Sequence, residues 1–164
     1  MAWSIRCACG VDRVTLLFRL WKFLGRWPWL QQILLRVLNP SFLVGVTAVL
    51  LDSDGKVVLF HHTYRRRFAW GLPGGFLRRG EEPAAALVRE IREEAGLTVD
   101  LVAPLAATTR TDSGNFELIY LARLTGGAFT PSAEVDQIGR FAKDDLPELR
   151  KYQKVIVLAA IARN

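Results

Sequence analysis

Glu90, Glu93 and Glu94 stand at i, i+3 and i+4, the spacing that brings side chains together on one face of an α-helix. Like charges at these steps repel and weaken an isolated helix by roughly a few tenths of a kcal/mol per pair. A lysine at one of the steps would relieve the repulsion, but only Arg89, Arg92 and Glu81 are close in sequence. Convergent oxygens of this kind suit a hard divalent cation. The same three residues also read as a solvated acidic helix face, and the glutamates alone leave both readings open.

Other chemistry-bearing residues lie nearby. Arg65, Arg66 and Arg67 form a basic cluster that could grip phosphates or carboxylates of a substrate, or simply decorate a turn. His61 and His62 are adjacent on an expected strand, so they face opposite sides and at most one can reach a shared site. A structural role for both is the simpler expectation. Cys7 and Cys9 are too close together for a disulfide framework, and no second pair or neighbouring histidine completes a zinc site. Unpaired thiols are the expectation there, which fits a reducing compartment such as the cytoplasm.

The glutamates belong to a longer pattern. Residues 75–97, GFLRRGEEPAAALVREIREEAGL, resemble the Nudix box, G-x5-E-x7-R-E-U-x-E-E-x-G-U, where U is a bulky aliphatic residue. Gly75, Glu81, Arg89, Glu90, Ile91, Glu93, Glu94, Gly96 and Leu97 fill every specified position. The preceding Gly71-Leu72-Pro73-Gly74 is also typical of that family. The resemblance covers about residues 41–164 and not the N-terminal arm.

The resemblance implies an α/β fold, an α/β/α sandwich around a mixed sheet. It also implies hydrolysis of a nucleoside diphosphate linked to another group, with Mg2+ or Mn2+. On that basis Glu90, Glu93 and Glu94 are expected as metal ligands, with the Gly74 carbonyl completing the site. Glu90 or Glu93 would orient or deprotonate the attacking water. Arg89 joins this catalytic set by tying Glu81 or a box glutamate in place. Gly75, Glu81 and Gly96 are the structural positions of the box. Glu134 matches a downstream acidic residue that serves relatives as an extra ligand or base. Arg140 departs from the tryptophan frequent there, so Glu117 and Asp112 stand as alternatives.

The elements that must hold these residues can be read coarsely. Apolar β-rich runs over 42–51 and 56–62 flank the turn Asp52-Ser53-Asp54-Gly55 and read as a hairpin. A Gly/Pro-rich turn is expected over 71–75. A helix follows over 83–95, opened by Pro83 and stopped by Gly96, with Ala84, Leu87, Val88, Ile91 and Ala95 on one apolar face. Strands are expected over 97–105, 116–124 and 135–141, with a polar stretch at 108–115 and a loop at 126–131. A closing helix over 146–162 presents Leu149, Tyr152, Ile156 and Ala159/Ala160 as its stripe.

Composition bounds the rest. Apolar residues make up 51% and charged residues 23%, which excludes wholesale disorder and collagenous chains. The net charge is +6, yet residues 1–40 carry six basic groups against Asp12, while residues 41–164 are nearly balanced. Two segments are therefore expected, a basic amphipathic helical extension over 1–40 and a hydrolase domain over 41–164. The arm reads as helices over 14–24 and 29–38, rich in Trp and Leu. It could pack on the domain or on a second subunit in a homodimer, lie on an anionic membrane through residues 13–38, or be a cleaved targeting segment. No run is long and apolar enough for a transmembrane span. No motif accompanies the basic residues that would make nucleic acid a specific partner. The expected partner is a nucleotide-linked small molecule. A non-catalytic nucleotide sensor and a membrane-surface pyrophosphatase acting on CDP-alcohols are the alternatives.

Overall fold

The computed structural model describes residues 43–109 and 114–162, together with Lys22, Arg26, Trp27, Trp29, Leu30, Ile33 and Val37. The chain divides into two units, Met1–Ser41 and Phe42–Asn164. In the first, Lys22, Trp29, Leu30, Ile33 and Val37 are helical, and Trp29, Ile33 and Val37 are exposed. The remaining expectations for the arm, Cys7, Cys9 and Asp112 lie outside the described residues. Among the described residues no helix is long and apolar enough to cross a membrane.

The second unit is built on one seven-stranded mixed sheet. In chain order it comprises β1 (Val44–Leu51), β2 (Val57–His62), β3 (Trp70–Gly71), β4 (Gly74–Phe76), helix α1 (Pro83–Ala95), β5 (Leu97–Thr109), β6 (Phe116–Gly127), β7 (Val135–Phe141) and helix α2 (Lys151–Ile161). The main path runs β3-β2-β1-β6-β5, with β4 paired to β1 and β7 to β2. β1 pairs with β6 in parallel along its whole length, and every other pairing is antiparallel.

β1 explains the layering. Its sequence, VGVTAVLL, is apolar at nearly every position because both faces of a central strand are covered. Val46, Ala48 and Leu50 point to one side and meet Ala86, Leu87, Ile91 and Ala95 of α1. Val49 and Leu51 point to the other, into a core shared with Leu149, Val157 and Ala160. The two helices therefore lie on opposite faces, an α/β/α sandwich.

Helix α1 has the bounds expected from sequence. Pro83 opens it without needing an N–H, and Gly96 closes it in the left-handed conformation at φ +70°, its N–H donating to the Arg92 carbonyl at 2.9 Å. Elsewhere the structure differs. The Gly/Pro segment over 71–75 is not a turn alone, because its ends pair as β3 and β4. β5 and β6 form a hairpin ladder that runs to Thr109 and Gly127, beyond the expected ends. α2 starts at Lys151 rather than near residue 146, since Pro147 disfavours helical geometry at the residue before it.

Candidate active site

β4 and α1 build the site together. β4 lies along the first half of β1, pairing Gly75 with Val46 and Gly74 with Thr47. Its backbone passes close to the carboxylates of α1. A Cβ at Gly75 would overlap the carboxylate group of Glu90, so glycine there lets Glu90 lie against the main chain.

Arg89 is the organising cation. Its Nε and Nη2 donate to the two oxygens of Glu81 at 2.7 and 2.8 Å. Nη1 donates to Glu90 at 2.8 Å and Glu93 at 3.1 Å, and Nη2 also reaches the Phe76 carbonyl at 3.3 Å. The Glu81 carboxyl is held down at about 2, first by the Arg89 side chain and next by the Arg78 backbone N–H, which donates at 2.9 Å. With its donors engaged by the protein, Arg89 positions carboxylates.

The three glutamates differ in their surroundings. Glu93 is half-exposed and is held by Arg78 at 3.1 Å as well as by Arg89. Glu90 is partly buried between Arg89 and Gly75. Glu94 is only 8% exposed, and its Oε2 has no hydrogen-bond partner among the described residues. Burial, followed by the charges of Glu90 and Glu134, pushes its carboxyl up to about 8, against the pull of Arg65 and the Gly74 N–H. Among the described residues no three His, Cys, Asp or Glu side chains are grouped as a ready-made ion site. Arg78 and Arg89 keep Glu93 engaged, so the glutamates are less free of cations than the sequence spacing implies.

The other sequence-derived residues separate clearly. Of the three arginines, Arg65 is partly buried and acts on Glu94. Arg66 is exposed, and Arg67 is exposed and turns to Glu148 at 3.4 Å. Glu134 is exposed but close enough to raise Glu94. Arg140 pairs with Asp52 at 3.6 Å. The histidines diverge: His61 meets Asp136 at 2.6 Å and packs edge-on against Trp70. His62 is buried, with neither ring nitrogen partnered among the described residues, and burial, then Arg65, lowers it to about 4.

On the opposite face of the sheet a cavity of about 120 Å³ opens beside the same β4 backbone. Glu117 enters it from β6 and Gln153 from α2, and Thr47 on β1 donates its hydroxyl to Glu117. Arg78, Thr47 and Gln153 are not legible from sequence as site residues. Arg78 occupies an unspecified position of the box, and Gln153 is a polar residue on a helix whose expected inward stripe consists of apolar neighbours.

The fold and the carboxylate helix agree with comparison to known proteins. The profile described as the NUDIX domain matches residues 41–159, and the chain belongs to that family. A human relative, 8-oxo-dGDP phosphatase NUDT18, is 33% identical over 122 residues, covering 71% of this chain and 38% of its own length. The chain thus spans well under half of that relative. An ADP-ribose pyrophosphatase structure from Streptococcus suis superposes with a TM-score of 0.64 at 28% identity, covering 76% of this chain and 94% of its own. The structure of a UDP-X diphosphatase gives a TM-score of 0.65 at 24% identity, covering 81% and 71% respectively, a likeness of fold.

Proposed function

We propose that residues 41–164 hydrolyse a diphosphate linkage in a nucleoside diphosphate joined to a second group, by attack of water on phosphorus. Residues 1–40 are then an extension outside the catalytic domain. The observation that carries the reading is Glu94, a buried carboxyl with an unpaired oxygen, pushed up first by burial and then by Glu90 and Glu134 beside it. A buried carboxyl with an unpaired oxygen is a costly arrangement in a native core, and a divalent cation binding its ionised form removes the cost. The donor set is all oxygen, which suits Mg2+ or Mn2+.

Glu90 and Glu94, with the Gly74 carbonyl and Glu134, would hold the ion, and Glu93 would join them on release from Arg78. Such an ion, when bound, neutralises phosphate charge and lowers the pKa of water. The chain's own residues do the remaining work. Glu90 or Glu93 orients the water and accepts its proton, a task for which a carboxylate suffices near neutral pH. Arg89 fixes the rotamers of Glu90 and Glu93 while Glu81 fixes Arg89. Arg65, the arginine of its cluster close enough to act on Glu94, would meet substrate phosphate. Relatives named for 8-oxo-dGDP and for ADP-ribose share an acid anhydride of phosphorus and differ in base. Their names therefore support the reaction class and give no single base.

The test is a phosphate-release panel of nucleoside diphosphate derivatives with Mg2+, run with the wild type, Glu93→Gln and Glu94→Gln. Metal-dependent turnover in the wild type and its loss in both folded variants is the expected result. Unchanged turnover in both variants overturns the assignment. Tight nucleotide binding without release across the panel would identify a sensor instead.

A further inference from the structure

Among the described residues of the first unit, all but Leu30 are exposed, and several are large and apolar. Trp29 is 62% exposed, Ile33 48% and Val37 76%, and all three are helical. They recur at steps of four, so on a helix they fall within about 80° of arc and form one stripe. Leu30, half-buried, falls at the edge of the same arc. Trp27 is exposed as well, and its carbonyl accepts the Leu30 N–H at 2.9 Å. A contiguous apolar stripe of this kind marks a surface that another phase or molecule covers.

Charge decides what covers it. Residues 1–40 carry six basic groups against Asp12, while residues 41–164 carry 16 basic and 15 acidic groups. Two such arms placed face to face would set like charges together, and a nearly neutral protein surface offers the excess nothing to pair with. A bilayer with acidic headgroups answers both properties, with anionic charge at its surface and hydrocarbon beneath. Tryptophan suits that boundary, because its ring is apolar while its N–H reaches the headgroups, and residues 1–40 hold Trp3, Trp21, Trp27 and Trp29. From Trp29 to Val37 a helix rises only about 12 Å, well short of a hydrocarbon core about 30 Å thick, so the contact lies in the plane of the interface.

We propose that the first unit lays Trp29, Ile33 and Val37 into the acidic surface of a lipid bilayer, the basic groups of residues 1–40 meeting its headgroups. This surface involves no residue of the carboxylate site, so it stands whether or not residues 41–164 hydrolyse a diphosphate.

The test is co-sedimentation of the full chain with two kinds of vesicle, one of phosphatidylcholine alone and one in which about a third of the lipid is phosphatidylglycerol. Binding to the acidic vesicles is expected to exceed binding to the neutral ones by at least about tenfold and to weaken as salt screens the charge. Ile33→Ala combined with Val37→Ala should weaken acidic-vesicle binding by about tenfold or more, and Arg26→Gln by about fivefold. Alanine has a higher helix propensity than isoleucine or valine, so the double variant removes the stripe and keeps the helix. All three positions are exposed, and the urea midpoint should stay that of the wild type. Any phosphate release from soluble diphosphates should be equal in the wild type and both variants. No binding to acidic vesicles, equal binding to the two kinds, or binding unchanged in the double variant overturns the proposal. A dimer in sedimentation velocity that dissociates in the double variant, with no vesicle binding, would overturn it in favour of a second copy of the chain.

Discussion

Replacing Glu94 with glutamine tests the charge argument most directly. In the metal-free chain the Glu94 carboxyl is pushed from 4.5 to about 8, chiefly by burial and then by Glu90 and Glu134. Below about pH 4.5 both folded and unfolded states hold the proton, and the wild type and Glu94→Gln should be similarly stable. Between about 4.5 and 8 the unfolded chain gives the proton up while the folded chain keeps it, so wild-type stability falls as pH rises. Above about 8 the loss levels off at roughly 3–5 kcal/mol, an amount the amide never incurs. Glu94→Gln should therefore be more stable than the wild type at high pH in EDTA, with the difference vanishing toward acid. Saturating Mg2+ should narrow that gap, since an ion at a hundredfold its Kd stabilises the native state by about 2.7 kcal/mol only where the site is intact. Urea melts from about pH 4 to about pH 9, with EDTA and with Mg2+, measure both effects. Parallel pH profiles for the two chains, or equal protection by Mg2+, would refute the reasoning.

Other outcomes follow from the same geometry. Glu81, held near 2 by Arg89 and the Arg78 N–H, contributes stability that is complete above about 4.5 and lost as pH falls toward 2. The stability gap between wild type and Glu81→Gln should close across that acid window, as read by thermal melts. Gly75→Ala puts a methyl group into the Glu90 carboxylate; turnover should fall by about 100-fold while circular dichroism stays native. Ile91, fully buried between α1 and the sheet, should cost about 2–5 kcal/mol on truncation to alanine, seen as a lower urea midpoint at unchanged slope.

The ends of α1 are legible because several local signals agree there. Pro83 and Gly96 mark them, and Leu87, Ile91 and Ala95 of its expected apolar face meet the sheet, whereas Ala84 and Val88 of that face are exposed and Ala86 is buried instead. The identity of each box glutamate is legible too, but its environment is not. Glu93 is taken up by Arg78, a residue brought back by the loop before the helix, and no periodicity announces such a contact. The same limit applies to α2. Of its expected stripe, Leu149, Ile156 and Ala160 do face the core, but Gln153 and Val157 are buried there too. A glutamine reads as solvent-facing in any hydropathy pattern, so the expected stripe misses the buried amide. Arg65, Arg66 and Arg67 look equivalent in sequence; only the path of the chain after β2 brings Arg65 toward the site and leaves the other two exposed.

β4 is three residues long, and two of them are glycines with the carboxylates of α1 on one side and the α2-face cavity on the other. No side chain intervenes at Gly74 or Gly75 to absorb a displacement, so the two ends of a ligand lying across them share one reference frame. Binding energy gained on the cavity side is then available as alignment on the carboxylate side. For such a wall, loss of a contact on the cavity side should appear in kcat as well as in KM, and a truncated substrate should react slowly even when it saturates the site.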